Sequence, residues 1–323
     1  MMNNEILYLS DADIIDLDLS LLSIQEAITS AFQSKAKQES WVSDKATVLL
    51  KPGHMFQAKP GLLGNEQVAG LKWFGLVPQR ANNNASINSV ILISDVLTGK
   101  LKAIVQANWI TEKRTAAMTA VAAQKLANQS SETIGFIGAG VQAFGHLEAL
   151  SGVLPNLKHA VMFSRTEASA QKLANAATKL GLEAQVTTDP LEAVKGRDVV
   201  VSTVPEGAWA HPLLAPDLVK SGAFIAAVDL ARNWDNTKLR EFDILATDDR
   251  EQTKTMFEVG RMGWGEPYEY DLTDICLEGF AGRKHKDQRV LFNFSGHALA
   301  DLAAAVTAIE VAIANNVGRK LGG

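Results

Sequence analysis

The sequence predicts an α/β fold in which a doubly wound parallel-sheet domain is joined to a mainly antiparallel α+β domain. First, the short apolar run Ile134–Ile137 leads through a glycine-containing turn into a helical pattern that begins at Val141. Second, apolar runs and helical stretches continue to alternate after this turn, as parallel strands with helical crossovers do. Third, apolar residues in the preceding stretch 41–107 follow a two-residue period or form short runs between Pro-Gly, Pro and Asn clusters.

The composition is ordinary for a globular chain with a substantial core. The 323 residues are 47% hydrophobic and 21% charged, enough for two domains. A net charge of −5 argues against a nucleic-acid-binding protein that depends on a broad basic surface. Neither a signal peptide nor a membrane span is predicted, because the N-terminus lacks a basic-then-apolar pattern and no apolar run reaches about 18 residues. The single cysteine, Cys276, fits a reducing compartment, so we expect a cytoplasmic protein, and we expect no metal site.

The N-terminal third is predicted to form helices packed on a sheet. A strand is expected over Ile6–Leu9, helix N-caps within residues 10–13, and a helix over Ser23–Lys37, whose apolar residues recur at helical spacing. Five further strands are predicted: Ala46–Leu50, Met55–Lys59, Ala69–Leu76, Ser89–Asp95 and Leu101–Gln106. Residues 96–100, which include Gly99, suit a hairpin connection between the last two strands. A largely antiparallel sheet is therefore expected.

An alanine-rich helix over Trp109–Asn128, with Thr111 as its cap, is predicted to pack closely against another element and to link the two domains. The strands predicted after it are Thr133–Ile137, Ala160–Phe163, Ala184–Thr187, Val199–Thr203, Phe224–Val228, Ile244–Ala246 and Val290–Phe294, mostly with helices between them. A glycine-rich, aromatic loop is expected over Gly260–Tyr270, and a final helix over His297–Asn316.

The glycine turn predicts a dinucleotide-binding domain of the Rossmann type. Gly138 would permit the tight turn, Gly140 would let the backbone approach a pyrophosphate, and Ala143 would let helix and strand pack closely. The pyrophosphate would lie on the first N–H groups of the helix. The predicted cofactor-binding residues of this turn are Gly138, Ala139, Gly140, Val141 and Gln142. The alternative is that the glycines serve only close packing.

The end of the second predicted strand of this domain favours NADPH over NADH as the cofactor. An NAD site normally has a carboxylate there for the ribose 2′-OH, but this strand is followed by Ser164, Arg165 and Thr166. An arginine can pair with a 2′-phosphate, so these three residues are candidate phosphate ligands. The alternative is a solvated arginine, and Glu167 lies nearby. Thr203 and Val204, at the end of a later strand, are further cofactor-binding candidates.

Two basic residues stand out because of their surroundings. Lys72 lies inside the apolar stretch Val68–Val77, where an unpaired ammonium would be costly to bury. Lys72 therefore needs an anion or a place at the mouth of a pocket. Arg114 lies near the start of the alanine-rich helix, and a guanidinium there is well shaped to hold a carboxylate through two hydrogen bonds. The alternative for each is a solvated charge or a structural salt bridge, such as one between Arg114 and Glu112.

Several motifs together resemble those of one known family. They are Gly70-Leu71-Lys72; Asp95 with Thr98-Gly99; Thr111 with Arg114 to Ala117; Gly138-Ala139-Gly140 with Gln142-Ala143 and His146; and Ser295-Gly296 with Ala298 and Asp301. Through these motifs nearly the whole chain resembles the ornithine cyclodeaminase/μ-crystallin family. The resemblance implies a substrate-binding and dimerisation domain (residues 1–112 and 303–323), a Rossmann domain (residues 113–302), and a homodimer.

The resemblance also assigns roles to the basic residues. It implies that Lys72 and Arg114 bind the carboxylate of a small imino or amino acid and form the catalytic site. A further basic residue in an early strand contacts this carboxylate in the family. Lys45 lies nearest to that place, although arginine is the usual residue there.

The chain departs from the cyclodeaminases of the family after the fifth Rossmann strand, where they carry an aspartate that acts on the ornithine amino groups. Alignment of Ala227-Val228 with the family's strand end puts Ala231 at that position, and Asp229 falls two residues early, where only a slipped alignment would rescue it. We therefore expect NADPH-dependent reduction of Δ1-pyrroline-2-carboxylate to L-proline, or of Δ1-piperideine-2-carboxylate to L-pipecolate. The alternatives are an alanine-type dehydrogenase, an ornithine cyclodeaminase, or a μ-crystallin-like NADPH- or ligand-binding protein that is not an enzyme.

Overall fold

The computed structural model describes residues 5–51, 54–77, 87–204, 211–264 and 267–322. The chain divides into two compact units: unit 1 contains residues 1–114 and 297–323, and unit 2 contains residues 115–296. Both boundaries differ from the predicted ones at 112/113 and 302/303. The second would have cut through the final helix, which unit 1 retains whole. No helix of the described residues is long and apolar enough to cross a membrane.

Unit 1 combines one large sheet with three helices, and it also contains the start of a fourth. Its elements are β1 (Ile6–Leu9), α1 (Asp11–Asp16), α2 (Leu21–Ala36), β2 (Trp41–Val42), β3 (Ala46–Lys51), β4 (His54–Leu63), β5 (Val68–Leu76), β6 (Ile87–Asp95), β7 (Leu101–Gln106), the first part of α3 (Asn108–Leu126), α8 (Ala298–Ala314) and β16 (Arg319–Leu321). The predicted strands and helices of this unit are confirmed, with ends shifted by a few residues. The short strands β2 and β16 were not predicted, because two or three residues are too few to show a period.

The sheet of unit 1 has the strand order β16-β1-β7-β6-β5-β4-β2, with β3 paired to β4. All its pairs are antiparallel except β1 with β7. Helix α8 packs on one face of the sheet so closely that a Cβ atom on Gly70 would lie 2.4 Å from Leu302 Cδ2. Alternate residues of a strand point to the same face, so Lys72 lies on this helix-covered face.

Unit 2 contains the rest of α3 and a second sheet with its helices. Its elements are β8 (Thr133–Ile137), α4 (Val141–Val153), β9 (His159–Phe163), α5 (Glu167–Lys179), β10 (Glu183–Thr187), β11 (Val199–Ser202), β12 (Phe224–Ala227), β13 (Ile244–Thr247), α6 (Arg250–Glu258), β14 (Tyr270–Asp271), α7 (Leu272–Ile275) and β15 (Val290–Asn293). The strand order is β10-β9-β8-β11-β12-β15-β13-β14, and every pair is parallel. This arrangement confirms the predicted doubly wound parallel sheet.

The connections of unit 2 differ from the predicted alternation in three places. Between β10 and β11, residues 188–198 form turns without a helix. Between β11 and β12, and between β12 and β13, the described residues contain only single 3₁₀ turns at Pro216–Leu218 and Leu239–Glu241. Residues 205–210 of the β11–β12 connection lie outside the described part of the chain. The predicted loop over Gly260–Tyr270 ends in the short strand β14, and its residues 265–266 also lie outside the described part.

Candidate active site

Lys72 forms a buried ion pair in the interior of unit 1. Lys72 is only 1% exposed. Lys59 of β4 and Ile91 of β6 lie directly opposite it in the neighbouring strands. The Nζ atom donates to Asp301 Oδ1 at 2.8 Å and to Thr111 Oγ1 at 2.7 Å. These contacts stabilise an ammonium that the apolar strand alone could not accommodate.

Asp301 links the two predicted substrate-binding cations. It lies in the first turn of α8 and is fully buried. Its Oδ1 atom is 2.8 Å from Lys72 Nζ and also 2.8 Å from Arg114 Nε. The start of α8 favours a negative charge, because the N-terminal end of a helix carries a partial positive charge. One carboxylate oxygen at the N-terminal end of α8 therefore contacts side chains from both β5 and α3.

The start of α3 is fixed by a hydrogen-bond network around Thr111. The Thr111 hydroxyl donates to the Ala107 carbonyl at 2.6 Å, so it accepts from Lys72. The Ser89 backbone N–H donates to Asn108 Oδ1 at 2.9 Å. Thr111 was predicted as the helix cap, but α3 begins at Asn108 and Thr111 lies in its first turn. The Thr111 hydroxyl accepts a hydrogen bond from Lys72 and does not cap a backbone N–H of the helix.

The electrostatic balance of this cluster makes Lys72 a group that can exchange a proton near neutral pH. Burial lowers the pKa of Lys72 to about 7; Asp301 opposes this shift, whereas Arg114 and Lys59 add to it. Burial by itself raises the pKa of Asp301, but the charges of Arg114, Lys72 and Lys59 outweigh burial and hold that pKa well below its ordinary value. Asp301 is therefore a permanent anion in the cluster.

Lys59 is a basic residue of this cluster that sequence analysis did not identify. It is 4% exposed, and its Nζ lies 5.3 Å from the centre of the Phe74 ring, which Lys72 Nζ approaches at 5.8 Å. The two-residue period of β4 could have placed it on the buried face, as it does Met55 and Gln57. Lys45, selected from the resemblance, is half-buried and lies just before β3. Its contact with substrate stays a prediction.

The turn between β8 and α4 has the geometry of an anion cradle. Gly138 has φ +101°, and a Cβ atom there would lie 2.6 Å from Thr203 Oγ1, so this position requires glycine. Gly140 is the N-cap of α4, without a side-chain cap, and a Cβ atom on it would meet nothing within 4 Å. Ala143 is buried against the sheet, as predicted. The open N-terminus of α4 therefore fits the pyrophosphate of a dinucleotide.

The other predicted cofactor residues lie at the carboxyl ends of the neighbouring strands. After β9, Ser164 is half-buried, whereas Arg165 and Thr166 are exposed. The Thr166 hydroxyl donates to Ser169 Oγ at 2.7 Å. After β11, the Thr203 N–H donates to the Ile137 carbonyl at 2.9 Å. Since β9, β8 and β11 are adjacent parallel strands, these residues lie along the edge of the sheet at which α4 begins.

Asp229 and Ala231 form a tight turn after β12. Leu230 and Ala231 have φ values of +61° and +54°, which is a strained backbone for residues other than glycine. Asp229 Oδ1 accepts from Ser202 Oγ at 3.0 Å, and Oδ2 accepts from Asn233 Nδ2 at 2.7 Å. Burial raises the pKa of Asp229 to about 6. Its carboxylate ties this turn to the end of β11, with both oxygens engaged.

Among the described residues, no group of three or more His, Cys, Asp or Glu side chains is arranged to hold a metal ion.

The chain is similar to several characterised proteins over much of its length. Alanine dehydrogenase from Archaeoglobus fulgidus is 27% identical over 94% of this chain and 95% of its own. Ketimine reductase mu-crystallin from Mus musculus is 33% identical over 67% of this chain and 66% of its own. The solved structure of Thermococcus litoralis Δ(1)-pyrroline-2-carboxylate reductase, in complex with NADH and L-proline, has 26% identity and a TM-score of 0.87, and the match covers 98% of this chain and 100% of that one.

These similarities agree with the motif order in the sequence. The sequence profile of the ornithine cyclodeaminase/mu-crystallin family matches residues 7–316, which is nearly the whole chain. The protein therefore belongs to the ornithine cyclodeaminase/mu-crystallin family.

Proposed function

We propose that the protein is an NADPH-dependent reductase of a cyclic ketimine carboxylate. The preferred substrate is Δ1-pyrroline-2-carboxylate, which would give L-proline; Δ1-piperideine-2-carboxylate, which would give L-pipecolate, is the second candidate. The observation that carries this proposal is the buried cluster in which Asp301 Oδ1 holds both Lys72 and Arg114 at 2.8 Å. Cations fixed in this way are suited to hold the carboxylate of a small substrate.

For the reduction of a cyclic imine, the main task of the protein is to position the substrate against the cofactor. Lys72 and Arg114 would fix the carboxylate and so define where the adjacent C=N carbon lies. A bound reduced nicotinamide supplies the hydride, which is the chemistry of the cofactor itself. With a pKa near 7, Lys72 can also hold or release a proton beside the substrate.

The proposed cofactor site uses the residues predicted from the sequence. Gly138, Ala139, Gly140, Val141 and Gln142 would hold the pyrophosphate at the N-terminus of α4. Ser164, Arg165 and Thr166 would bind the 2′-phosphate of NADPH, and Thr203 and Val204 would contact the nicotinamide side of the cofactor. The structure of the Thermococcus litoralis relative contains NADH, so the comparison does not favour NADPH for this protein. The proposed preference for NADPH depends on Arg165 and its neighbours.

The turn after β12 favours a reductase over a cyclodeaminase. Ala231, which occupies the aligned position of the cyclodeaminase aspartate, is buried and has no ionisable group. Asp229 directs both carboxylate oxygens to Ser202 and Asn233 of its own unit. The engagement of both oxygens within the turn supports the reductase proposal over the cyclodeaminase alternative.

We also propose that the protein is a homodimer in which a second copy covers part of the sheet of unit 1. The sheet face opposite Lys72 carries Phe56 and Trp73, which are 37% and 40% exposed and stack with their ring centres 5.9 Å apart. Val48, which is 60% exposed, lies opposite Phe56 on the neighbouring strand. Adjoining apolar side chains of this kind are typical of a protein–protein interface.

The test is to follow the absorbance of reduced nicotinamide with three substrates in parallel. Freshly generated Δ1-pyrroline-2-carboxylate should be reduced fastest, and faster with NADPH than with NADH at equal concentration. Faster oxidation with pyruvate and ammonia would indicate an alanine-type dehydrogenase, an activity found in the Archaeoglobus fulgidus relative. Conversion of ornithine to proline, followed through the ammonia released because the nicotinamide undergoes no net change, would indicate a cyclodeaminase. Tight NADPH binding without turnover of any substrate would indicate a ligand-binding protein.

A further inference from the structure

The two carboxylate oxygens of Asp301 differ in their contacts. Oδ1 lies 2.8 Å from both Lys72 Nζ and Arg114 Nε. Oδ2 is buried and has no hydrogen-bond donor among the residues that the structure describes. The whole residue is 0% exposed and ionised, so Oδ2 is an acceptor with a share of a full negative charge. Such an atom has a strong tendency to take a donor.

Lys72 supplies the donors of this ion pair. An ammonium has three N–H donors, and within the described residues Lys72 gives one to Thr111 and one to Asp301. A donor and a charged acceptor are therefore held beside each other in one buried cluster. A ligand that satisfies both must carry an acceptor next to a donor.

A protonated imine carboxylate has this pattern. Its carboxylate oxygen accepts from Lys72, and its N–H, on the carbon next to the carboxylate, can donate to Asp301 Oδ2. A keto acid offers an oxygen where the imine has its N–H, and this oxygen would face the anionic Oδ2. The same cluster that binds the carboxylate thus distinguishes nitrogen from oxygen at the reacting carbon.

We infer that Asp301 is a further catalytic residue, whose Oδ2 accepts the N–H of the protonated substrate imine. This inference rests on the proposed reduction of an imine carboxylate. The substrate binds as the protonated imine, and its N–H donates to Asp301 Oδ2. The C=N carbon then takes a hydride, with its electron pair, from the reduced nicotinamide. The C=N π electrons return to nitrogen, the product is a neutral amine, and the nicotinamide is oxidised.

The test compares the binding of two planar five-membered ring acids, without turnover. Pyrrole-2-carboxylate carries an N–H beside its carboxylate, whereas furan-2-carboxylate has the same shape with a ring oxygen there. Calorimetric titration of the full chain with NADP⁺ present should show pyrrole-2-carboxylate binding about 10- to 100-fold more tightly, as expected for a hydrogen bond to a charged group.

The variant Asp301→Asn tests which residue produces this preference. Its single oxygen should turn to Lys72 and Arg114, which leaves the amide N–H₂ at the place of Oδ2, so the preference for pyrrole-2-carboxylate should be lost or reversed. Glu310→Gln, an exposed change on the same helix, is the control and should retain the wild-type preference. Thermal unfolding of both variants checks that they fold.

The possible failures can be told apart. Equal affinity of the wild type for the two acids, or no binding of either, overturns the inference even if Δ1-pyrroline-2-carboxylate is reduced. A preference that survives in Asp301→Asn also overturns it, because another residue would then recognise the N–H. A preference that is lost in Asp301→Asn supports the role of Asp301 in nitrogen recognition. If that loss occurs without turnover of any imine, the proposed reductase activity is what fails.

Discussion

Lys72 Nζ and Asp301 Oδ1 lie 2.8 Å apart, although 229 residues separate them along the chain. The pair joins the middle of β5 to the first turn of α8, and Arg114 of α3 completes it from the other side. Each of these side chains would be costly to bury alone, so their mutual position is a requirement for folding unit 1 and for the proposed binding of a substrate carboxylate.

Removal of Asp301 should therefore destabilise the protein. In Asp301→Ala, Lys72 and Arg114 lose their shared counter-ion in a buried place, and the free energy of unfolding should fall by about 3–5 kcal/mol. Urea denaturation of the cofactor-free protein measures this change. Lys320→Ala, which breaks the exposed pair with Glu5, is the control and should change stability by less than about 0.5 kcal/mol. Similar losses in the two variants would contradict the importance of the buried cluster.

The pH dependence of the reaction should report Lys72. Its ammonium, faced by Asp301 from α8, Arg114 from α3 and Lys59 from β4, is charged below its pKa of about 7 and neutral above it. If the charged form binds the carboxylate, kcat/KM should be highest below pH about 7 and fall as the pH rises through that value. In the pH profile of kcat, the alkaline limb should lie at a higher pH than in the profile of kcat/KM, because a bound carboxylate favours the charged lysine.

Lys72→Arg provides the matched variant for this profile. Arginine remains charged throughout the accessible range, so the activity of the variant, although lower, should lose the alkaline limb near neutrality. A limb that persists unchanged in Lys72→Arg would assign the titration to another group.

Arg165→Ala should remove the preference for NADPH. Loss of a charged hydrogen bond to the 2′-phosphate should weaken NADPH binding by about 10- to 100-fold and leave NADH binding nearly unchanged. Fluorescence titration of each reduced cofactor gives the two dissociation constants. Lys172→Ala, an exposed change on the following helix α5, controls for the general loss of a positive charge. A parallel loss of NADH affinity in Arg165→Ala would show that the residue does not read the phosphate.

Two glycines of α4 offer a test of the pyrophosphate cradle. A Cβ atom on Gly140 or on Gly152 would meet nothing within 4 Å, so alanine should be accommodated at either position. Gly140→Ala should leave stability nearly unchanged but weaken cofactor binding at least about tenfold, because the methyl group would lie where the pyrophosphate approaches. Gly152→Ala should stabilise the helix by about 0.5–1 kcal/mol and leave cofactor affinity as it is. Equal cofactor affinities in the two variants would rule out the cradle.

The oligomeric state should depend on the apolar face that contains Trp73. Trp73→Glu places a charge among Phe56 and Val48, and size-exclusion chromatography with light scattering should show a monomer where the wild type is a dimer. Leu97→Glu is the control: Leu97 is 78% exposed in the turn between β6 and β7, and this variant should still form dimers. A Trp73→Glu protein that remains dimeric would place the interface elsewhere.

Local patterns in the sequence account for most of the fold. The two-residue period of β4 to β7, the apolar runs of β8 to β13 and of β15, and the glycine turn are all properties of neighbouring residues, and the structure confirms these elements. The short strands β2, β14 and β16 were missed because too few residues contribute to a pattern. Helices were predicted between most of the strands of unit 2, but the described residues of three connections contain only turns or a 3₁₀ turn, because the sequence there gives no strong helical period.

The sequence by itself indicated that Lys72 needs an anion or a place at the mouth of a pocket, because an unpaired ammonium inside an apolar strand is costly to bury, and that the β8–α4 turn suits a dinucleotide, because its glycines lie close together in the chain. It could not determine that the partner is Asp301 or that Lys59 joins the cluster. The first depends on how closely α8 packs on Gly70, and the second on the register that sets Lys59 opposite Lys72. Both are contacts between distant segments, which only the packed tertiary structure decides.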